Sequence, residues 1–208
     1  MRKHLTEVNS GLDHSEWQAL KKLDTPAKIQ DFLNTLEFDF REGHKIDRSV
    51  RGILKTRKAD CAGGAIVAAA ALWAQGRPPL LLDLKVVQPD FDHVVALFKE
   101  GEHWGAISKT NHAVLRYREP VYKSKRELVM SYFHEYFLKT GQKTLRSYSK
   151  PFNLAAHGTN WLWQKEKLRD LVYLLDHSPH TPILTSQQIK KLRKADPIEI
   201  KVGEIKEW

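Results

Sequence analysis

The sequence contains one cysteine, Cys61, and no long hydrophobic run. A single cysteine excludes a disulfide within the chain, which favours a reducing, cytoplasmic location. The N-terminus lacks the apolar stretch of about 7–15 residues that a secretory signal carries. The longest apolar stretch, 62–74, is interrupted by two glycines and is shorter than the ~20 residues that a membrane-spanning helix needs. We therefore expect a soluble, cytoplasmic protein with no membrane association.

Low-complexity segments are also absent, and proline and glycine are not in excess, with 9 Pro and 11 Gly in 208 residues. Hydrophobic residues make up 41% of the chain, a balance that is typical of a globular protein and excludes an extensively disordered one. At this length roughly 70% of the surface of the unfolded chain can be buried. The chain is therefore long enough for one stable domain, alone or with an appended helical segment.

Positive charge is in excess, with 34 Lys and Arg against 25 Asp and Glu, for a net charge of +9. It is concentrated in residues 41–58, with seven basic and two acidic residues, and in residues 116–150, with nine and three. Such segments bind an acidic partner or nucleic acid, or form a solvated basic face. No glycine-rich phosphate loop, stacking-aromatic motif or Cys/His finger accompanies them, so nucleic acid is the less favoured partner.

A helix that is apolar on all sides is predicted between Asp60 and Gly76. Asp60 can cap its N-terminus and Gly76 can end it, and every residue between them except Gln75 is small or apolar. A helix without a polar face belongs in the interior of a protein. We therefore expect Cys61 in the first turn of a buried central helix.

Capping residues and apolar spacing predict the remaining elements. The predicted helices begin at Thr25-Pro26 and near Val50, run from Ser124 to Gly141, and cover 160–176 and 186–195, after a weak helix or arm in 1–23. The predicted strands are 80–87, 93–98 and 103–108, and a hairpin joins the last two. Helices, then a short antiparallel sheet, then helices indicate an α+β fold.

The position of Cys61 suits a chemical role. The positive end of the helix dipole stabilises a thiolate, and the backbone N–H groups of the first turn can bind an oxyanion. These are two requirements of a cysteine nucleophile. Asp60 opposes stabilisation of the thiolate, because a neighbouring carboxylate raises the pKa of a thiol. A base therefore has to accept the thiol proton. The alternative is that Cys61 is only a small buried apolar residue.

A histidine on a neighbouring strand is a candidate for that base. If Lys99 pairs with Glu102 in the hairpin, the register places His93 directly opposite Ser108. Both side chains then lie on one face of the sheet, with Cβ atoms about 5 Å apart. The hydroxyl would orient the imidazole ring, as the third member of a triad does. Alternatively, His93 is a partly buried histidine of the sheet, and Ser108 only provides its hydrogen-bond partner.

Three short motifs carry a resemblance to a known family: Asp60-Cys61-Ala62, Asp92-His93-Val94 and the strand His103-Trp104-Gly-Ala-Ile-Ser108. In this order they resemble the transglutaminase-like superfamily, which has a papain-like core and includes transglutaminases, peptide N-glycanases and bacterial thiol peptidases. The resemblance implies that Cys61 is the nucleophile and His93 the general base. It also implies that Ser108 stands at the position of the third, orienting residue.

The resemblance implies a domain organisation as well. Residues 25–123 would form a papain/transglutaminase-like core, in which the buried helix that carries the cysteine packs on a small antiparallel sheet. Residues 1–24 would form an N-terminal arm, and residues 124–208 a C-terminal helical extension packed on the core.

Ser108 departs from the family pattern, which usually has an Asp four residues after a Trp. A hydroxyl can hold the imidazole tautomer but carries no charge to stabilise an imidazolium. In the serine-protease template, a neutral Asn in place of that Asp lowers turnover about 10⁴-fold. Asn111 could substitute only where a bulge or loop brings it to the face of His93. The alternation of side chains along a strand turns Asp92 away from His93.

These observations leave two functional hypotheses. The first is a cysteine-dependent amide acyl-transfer enzyme, a peptidase, amidase or transglutaminase-like protein, which acts on a peptide or protein amide through Cys61, His93 and Ser108. It requires no cofactor, and the histidines show no metal-ligand spacing. The second is a catalytically inactive module of the same fold, which binds an acidic partner or nucleic acid through its basic surface.

Overall fold

The computed structural model of the chain describes residues 4–40 and 49–207, so the predicted basic segment 41–58 lies partly outside the described residues. The described α-helices are α1 (Glu7–Ser10), α2 (His14–Lys22), α3 (Pro26–Asn34), α4 (Val50–Thr56), α5 (Cys61–Ala74), α6 (Lys125–Phe133), α7 (Lys165–Asp176), α8 (Ser186–Lys190) and α9 (Pro197–Gly203). The described strands are β1 (Glu37–Phe38), β2 (Lys58–Ala59), β3 (Leu80–Val86), β4 (His93–Glu100), β5 (His103–Ile107), β6 (Arg118–Tyr122), β7 (Leu145–Ser149), β8 (Phe152–Asn153) and β9 (His180–Pro182). None of the described helices is both long and apolar enough to cross a membrane.

The main sheet has seven strands and is antiparallel throughout. Six strands lie side by side in the order β6-β5-β4-β3-β7-β9, and β8 pairs with the start of β3. A separate parallel pair joins β1 to β2. The α+β class predicted from the sequence is confirmed. The strands after residue 124, β7 to β9, were not predicted, and they extend the same sheet.

Helix α5 forms the centre of the molecule, as its composition predicts. The Asp60 side chain caps it by accepting the Gly63 N–H at 2.7 Å, and every residue from 62 to 74 is buried. The helix packs on one face of the sheet with the N-terminal helices, including the buried Trp17 and Leu20 of α2. Helix α6 covers the opposite face, where it forms a second apolar cluster. The sheet is therefore enclosed between two layers of helices.

The hairpin between β4 and β5 differs from the predicted register by two residues. Glu100 pairs with His103, and Gly101 and Glu102 form the loop. Gly101 has φ +56°, and glycine at the first of two loop positions is typical of the tight hairpin turns that match the twist of the strands. A shift of two residues preserves the alternation of faces. Ser108 therefore stays on the face of His93, but it lies diagonally rather than directly opposite.

The predicted helix from Ser124 to Gly141 is too long. Ser124 does cap α6, by accepting the Glu127 N–H at 3.1 Å, but the helix ends at Phe133. Beyond it the chain turns back, and the Tyr136 carbonyl accepts the Thr144 N–H at 3.0 Å. The apolar residues that suggested more helix are used by tertiary packing instead.

The last two helical predictions are also shortened. Residues 160–162 form a 3-10 turn before α7 begins at Lys165, and α8 ends at Lys190 rather than near residue 195. Thr185 and Gln188 form a capping box at the start of α8, with both reciprocal hydrogen bonds present.

Candidate functional site

A chain of hydrogen bonds orients the His93 ring. The His93 Nε2 lies 2.7 Å from the Ser108 Oγ, and the Ser108 Oγ lies 2.5 Å from the Leu115 carbonyl oxygen. A carbonyl only accepts, so the hydroxyl donates its one proton to Leu115 and must accept from the ring. This assigns the proton of neutral His93 to Nε2. The other ring nitrogen, Nδ1, then carries a lone pair and can act as a base.

His93 is deeply buried, with 5% of its surface exposed. Burial lowers its pKa to about 4, and electrostatic interactions with His112 and Arg118 act in the same direction. The imidazole is therefore neutral at physiological pH. A neutral ring is the form that a general base requires.

Cys61 lies in the first turn of α5 and is partly exposed as a residue. Burial of its sulfur raises the pKa of the thiol to about 12, and the charge of Asp60 adds to this. The backbone N–H groups of Val94 and Ala62 interact with the sulfur and oppose the rise. The opposing effect of Asp60 was expected, but desolvation is larger still, and together they outweigh the backbone N–H groups, so the pKa lies above its ordinary value. The thiol is protonated at neutral pH.

The three predicted site residues lie at one end of the sheet, but on different faces of it. Helix α5, which carries Cys61, packs on the face of Val94, whereas His93 pairs with Leu84 and, like Ser108, lies on the face that α6 covers. The sulfur of Cys61 lies near the N–H of Val94, the residue directly after His93. Among the described residues, no hydrogen bond joins the Cys61 thiol to the His93 ring.

The two alternative partners of His93 have other roles. Asp92 points away, as the strand alternation predicts, and accepts hydrogen bonds from Lys85 Nζ at 2.7 Å and from the Val86 N–H at 2.9 Å. Asn111 lies in the loop after β5, where its carbonyl accepts the Glu207 N–H at 2.7 Å. The Ser108 hydroxyl is the hydrogen-bond partner of His93 Nε2, so neither Asp92 nor Asn111 takes the role of orienting the ring.

Two residues that the sequence analysis did not single out belong to this region. Gln30 of α3 is buried and hydrogen-bonded to the backbone of Ser108. The Tyr136 hydroxyl is the one buried side-chain polar atom without a partner in the described part of the chain. Burial, and then the charge of Cys61, raise its pKa well above the ordinary value. Gln30 lies at the edge of the apolar face of α3, a weak sequence signal. Tyr136 was missed because the sequence predicted a helix there.

Three carboxylates beside the site could in principle hold a metal: Asp83, Asp92 and Asp176 have oxygen atoms within 4.8 Å of one another. The ammonium of Lys85 already lies among them, with ion pairs to Asp92 at 2.7 Å and to Asp176. His180 Nε2 contacts Asp83 at 3.1 Å. Burial and the charge of Asp92 raise the pKa of Asp83 to about 6. A lysine ammonium thus already lies among the three carboxylates, and we assign no metal to the cluster.

Part of the excess positive charge in residues 116–150 is used inside the molecule. Arg118 pairs with Glu135 at 2.6 Å and stacks over the Tyr132 ring, and Arg116 pairs with Glu207 at 3.1 Å. These cations hold the chain together, which reduces the charge available to a partner.

No known protein-family model matches this chain, and no curated protein sequence is similar to it at a significant level.

Proposed function

We propose that the chain is a cysteine-dependent amide acyl-transfer enzyme of the transglutaminase-like type. Cys61 is the nucleophile, His93 the general base and Ser108 the residue that orients the imidazole. The observation that carries the proposal is the hydrogen-bond chain from His93 through Ser108 to Leu115. It places the proton on Nε2 and leaves Nδ1 free to accept the thiol proton.

The fold proposed for this activity is a papain-like core. A helix with the nucleophile in its first turn packs on an antiparallel sheet, and the base begins the strand against which that helix lies. This order of helix and strand agrees with the motif order that suggested the family. The alternation along β4, however, turns the His93 side chain to the face opposite α5.

In the acylation step, the sulfur of Cys61 forms a bond to the carbonyl carbon of the amide while its proton moves to His93. The tetrahedral oxyanion is stabilised by a backbone N–H group in the first turn of α5. The Asp60 carboxylate occupies the Gly63 N–H at 2.7 Å and the Ala62 N–H interacts with the sulfur, which leaves the Cys61 N–H as the donor. The C–N bond then breaks, and the imidazolium of His93 gives its proton to the leaving amine.

The resulting thioester is resolved by water or by a second amine. His93, neutral again, takes a proton from that nucleophile as it adds to the thioester carbonyl. The proton returns to the sulfur when the C–S bond breaks, which restores the thiol. Hydrolysis and transamidation therefore use the same residues and differ only in the acceptor.

The pKa values indicate general-base catalysis rather than a preformed ion pair. A thiol with a pKa of about 12 and an imidazole with a pKa of about 4 keep the proton on sulfur in the resting state. A neutral Ser108 suits this state, because there is no resting imidazolium for it to stabilise. Proton transfer accompanies attack, as in serine hydrolases.

Covalent labelling of Cys61 by a peptidyl chloromethyl ketone tests the proposal, and the single cysteine makes intact-mass readout unambiguous. We expect the labelling rate of His93→Gln to be about a hundredfold below that of the wild type, because general-base assistance of this kind contributes at least that much. The rate should also fall as the pH drops below about 4, where His93 becomes protonated.

His103→Gln is the matched control, since His103 lies on the adjacent strand and should not affect labelling. Equal rates in the wild type and His93→Gln would contradict the proposal.

A second candidate is the inactive binding module, which the raised thiol pKa and the buried His93 favour. It predicts that Cys61 reacts no faster than an ordinary thiol. It also predicts retention on a heparin column that weakens steeply with salt, as expected when basic residues bind a polyanion.

A further inference from the structure

We infer that Gln30 is a positioning residue: it fixes the backbone of Ser108 and thereby the tautomer of His93. The inference rests on the proposed function, because it assigns Gln30 a part in preparing the general base. Gln30 lies on α3, far from His93 in sequence, and its connection to the site is made entirely through Ser108.

Ser108 stands beyond the end of the β-ladder. The last pair between β4 and β5 joins Ala96 to Ile107, and the last pair between β5 and β6 joins Ala106 to Arg118. Ser108 is nevertheless 1% exposed. Its backbone N–H and C=O are therefore removed from water without a strand partner, and buried groups of this kind need one.

The side-chain amide of Gln30 takes the place of the missing strand. Its Oε1 accepts the Ser108 N–H at 3.0 Å, and its Nε2 donates to the Ser108 carbonyl at 2.9 Å. The second proton of Nε2 is donated to Asn34 Oδ1 at 2.9 Å. Nε2 faces two oxygens and Oε1 faces an N–H, so the orientation of the amide is determined by its partners.

This clamp determines where the Ser108 hydroxyl lies. With the backbone held on both sides, Oγ is 2.7 Å from His93 Nε2 and 2.5 Å from the Leu115 carbonyl. Without the clamp, the backbone of Ser108 could rotate to find other partners. His93 would then lose the acceptor that keeps its proton on Nε2, and the fraction of rings with a free Nδ1 would fall.

The ¹⁵N chemical shifts of the two His93 ring nitrogens report the tautomer directly, because protonated and unprotonated imidazole nitrogens differ widely in shift. We expect wild-type protein to show a single neutral tautomer with the proton on Nε2. Gln30→Met keeps the length of the side chain but removes both hydrogen bonds to Ser108. It should show a mixture of tautomers and about a hundredfold slower labelling of Cys61, because a misplaced base costs that much.

Asn34→Ala is the matched control, because it removes the third contact of the Gln30 amide and leaves both bonds to Ser108. It should keep the single tautomer and the wild-type labelling rate. If Gln30→Met does not fold, Gln30→Leu is measured in the same way. Its side chain offers neither hydrogen bond to Ser108, so it too should mix the tautomers.

A folded Gln30→Met or Gln30→Leu protein with the wild-type tautomer would overturn the inference. The tautomer does not depend on activity, so the two proposals fail separately. A tautomer change in protein whose Cys61 never labels would uphold the role of Gln30 and refute the enzyme. If Gln30→Met keeps both the wild-type tautomer and the wild-type labelling rate of Cys61, the result would support the enzyme and refute the role of Gln30.

Discussion

Neutral groups make up the candidate site. Burial raises the pKa of Cys61 to about 12 and lowers that of His93 to about 4, and Ser108 carries no charge. Each shift has the sign that desolvation produces, because a low-dielectric environment disfavours the charged form of either group. The candidate site therefore contains no thiolate–imidazolium ion pair. Its reactivity depends on transfer of the thiol proton to His93 during the attack.

Asp60 has two separable effects on Cys61. It caps α5 through the Gly63 N–H, and its negative charge raises the thiol pKa. Asn is as good a capping residue as Asp but is neutral. Asp60→Asn should therefore keep the helix and lower the thiol pKa below about 12. The measurement is the rate of Cys61 alkylation by iodoacetamide against pH, in which the variant should react faster at every pH between 7 and 10.

Asp13→Asn is the control for this prediction, because Asp13 caps α2 in the same way. It should leave the alkylation profile unchanged. If Asp60→Asn also left it unchanged, the charge of Asp60 would not act on the sulfur, and burial alone would account for the raised pKa.

Close packing decides how α5 meets the rest of the site. Gly64 lies against the residue that follows Ser108: a Cβ built at Gly64 would be 2.3 Å from the Lys109 Cβ. Lys109 is itself 3% exposed, and its Nζ donates to the Leu36 carbonyl at 2.6 Å. Neither side of this contact has space to move. The absence of a side chain at Gly64 lets the helix approach the loop that carries Ser108.

Gly64→Ala should therefore destabilise the protein by about 1–3 kcal/mol, the usual cost of overpacking a core, although alanine favours helix by about 1 kcal/mol. The free energy of unfolding in urea measures this. Gly63→Ala is the matched control, since its nearest contact would be the flexible end of Ile53 at 3.1 Å. A Gly64→Ala protein as stable as Gly63→Ala would show that the loop yields and that the contact does not determine the packing.

On the scale of the whole molecule, the Lys85 cluster connects distant parts of the chain. Lys85 on β3 pairs with Asp92 in the following turn and with Asp176 at the end of α7, and it lies 3.8 Å from Asp83. His180 on the edge strand β9 contacts Asp83 at 3.1 Å. The C-terminal segment is thus tied to the sheet by charge as well as by strand pairing.

Lys85→Met leaves three carboxylates in mutual repulsion and should cost about 2 kcal/mol at pH 8, less than for a fully buried pair because Lys85 is partly exposed. Burial already raises the pKa of Asp83 to about 6, and loss of the ammonium raises it further. A carboxyl whose folded pKa is raised retains its proton longer in the fold than in the unfolded chain. The stability of the variant should therefore fall as the pH rises from about 4 to about 7.

Urea unfolding of wild type and Lys85→Met at pH 5 and pH 8 measures this slope. Lys28→Met is the control, because the Lys28–Asp24 pair is a surface pair at 2.9 Å and should contribute little at either pH. A Lys85→Met protein whose loss of stability is the same at both pH values would rule out repulsion among the carboxylates as the cause.

The sequence by itself determined the elements whose local signals agree with their surroundings. The buried helix α5, its Asp60 cap and the position of Cys61 follow from a run of small and apolar residues that no exposed helix would carry. Strands β3 to β5 follow from short apolar runs. The alternation of side chains placed His93 and Ser108 on one face even though the hairpin register was wrong by two residues, because parity survives a shift of two.

Tertiary structure alone decided the features that depend on distant contacts. The pKa of Cys61 rises because the packed chain removes the sulfur from water, an effect that no local spacing reveals. The Gln30 amide reaches Ser108 across 78 positions of sequence, and α6 ends at Phe133 because packing takes over the residues beyond it. Desolvation and long-range hydrogen bonds arise only when remote segments of the chain meet. Tertiary structure therefore determined the pKa values and hydrogen bonds of the candidate site, whereas the sequence alone indicated which residues belong to it.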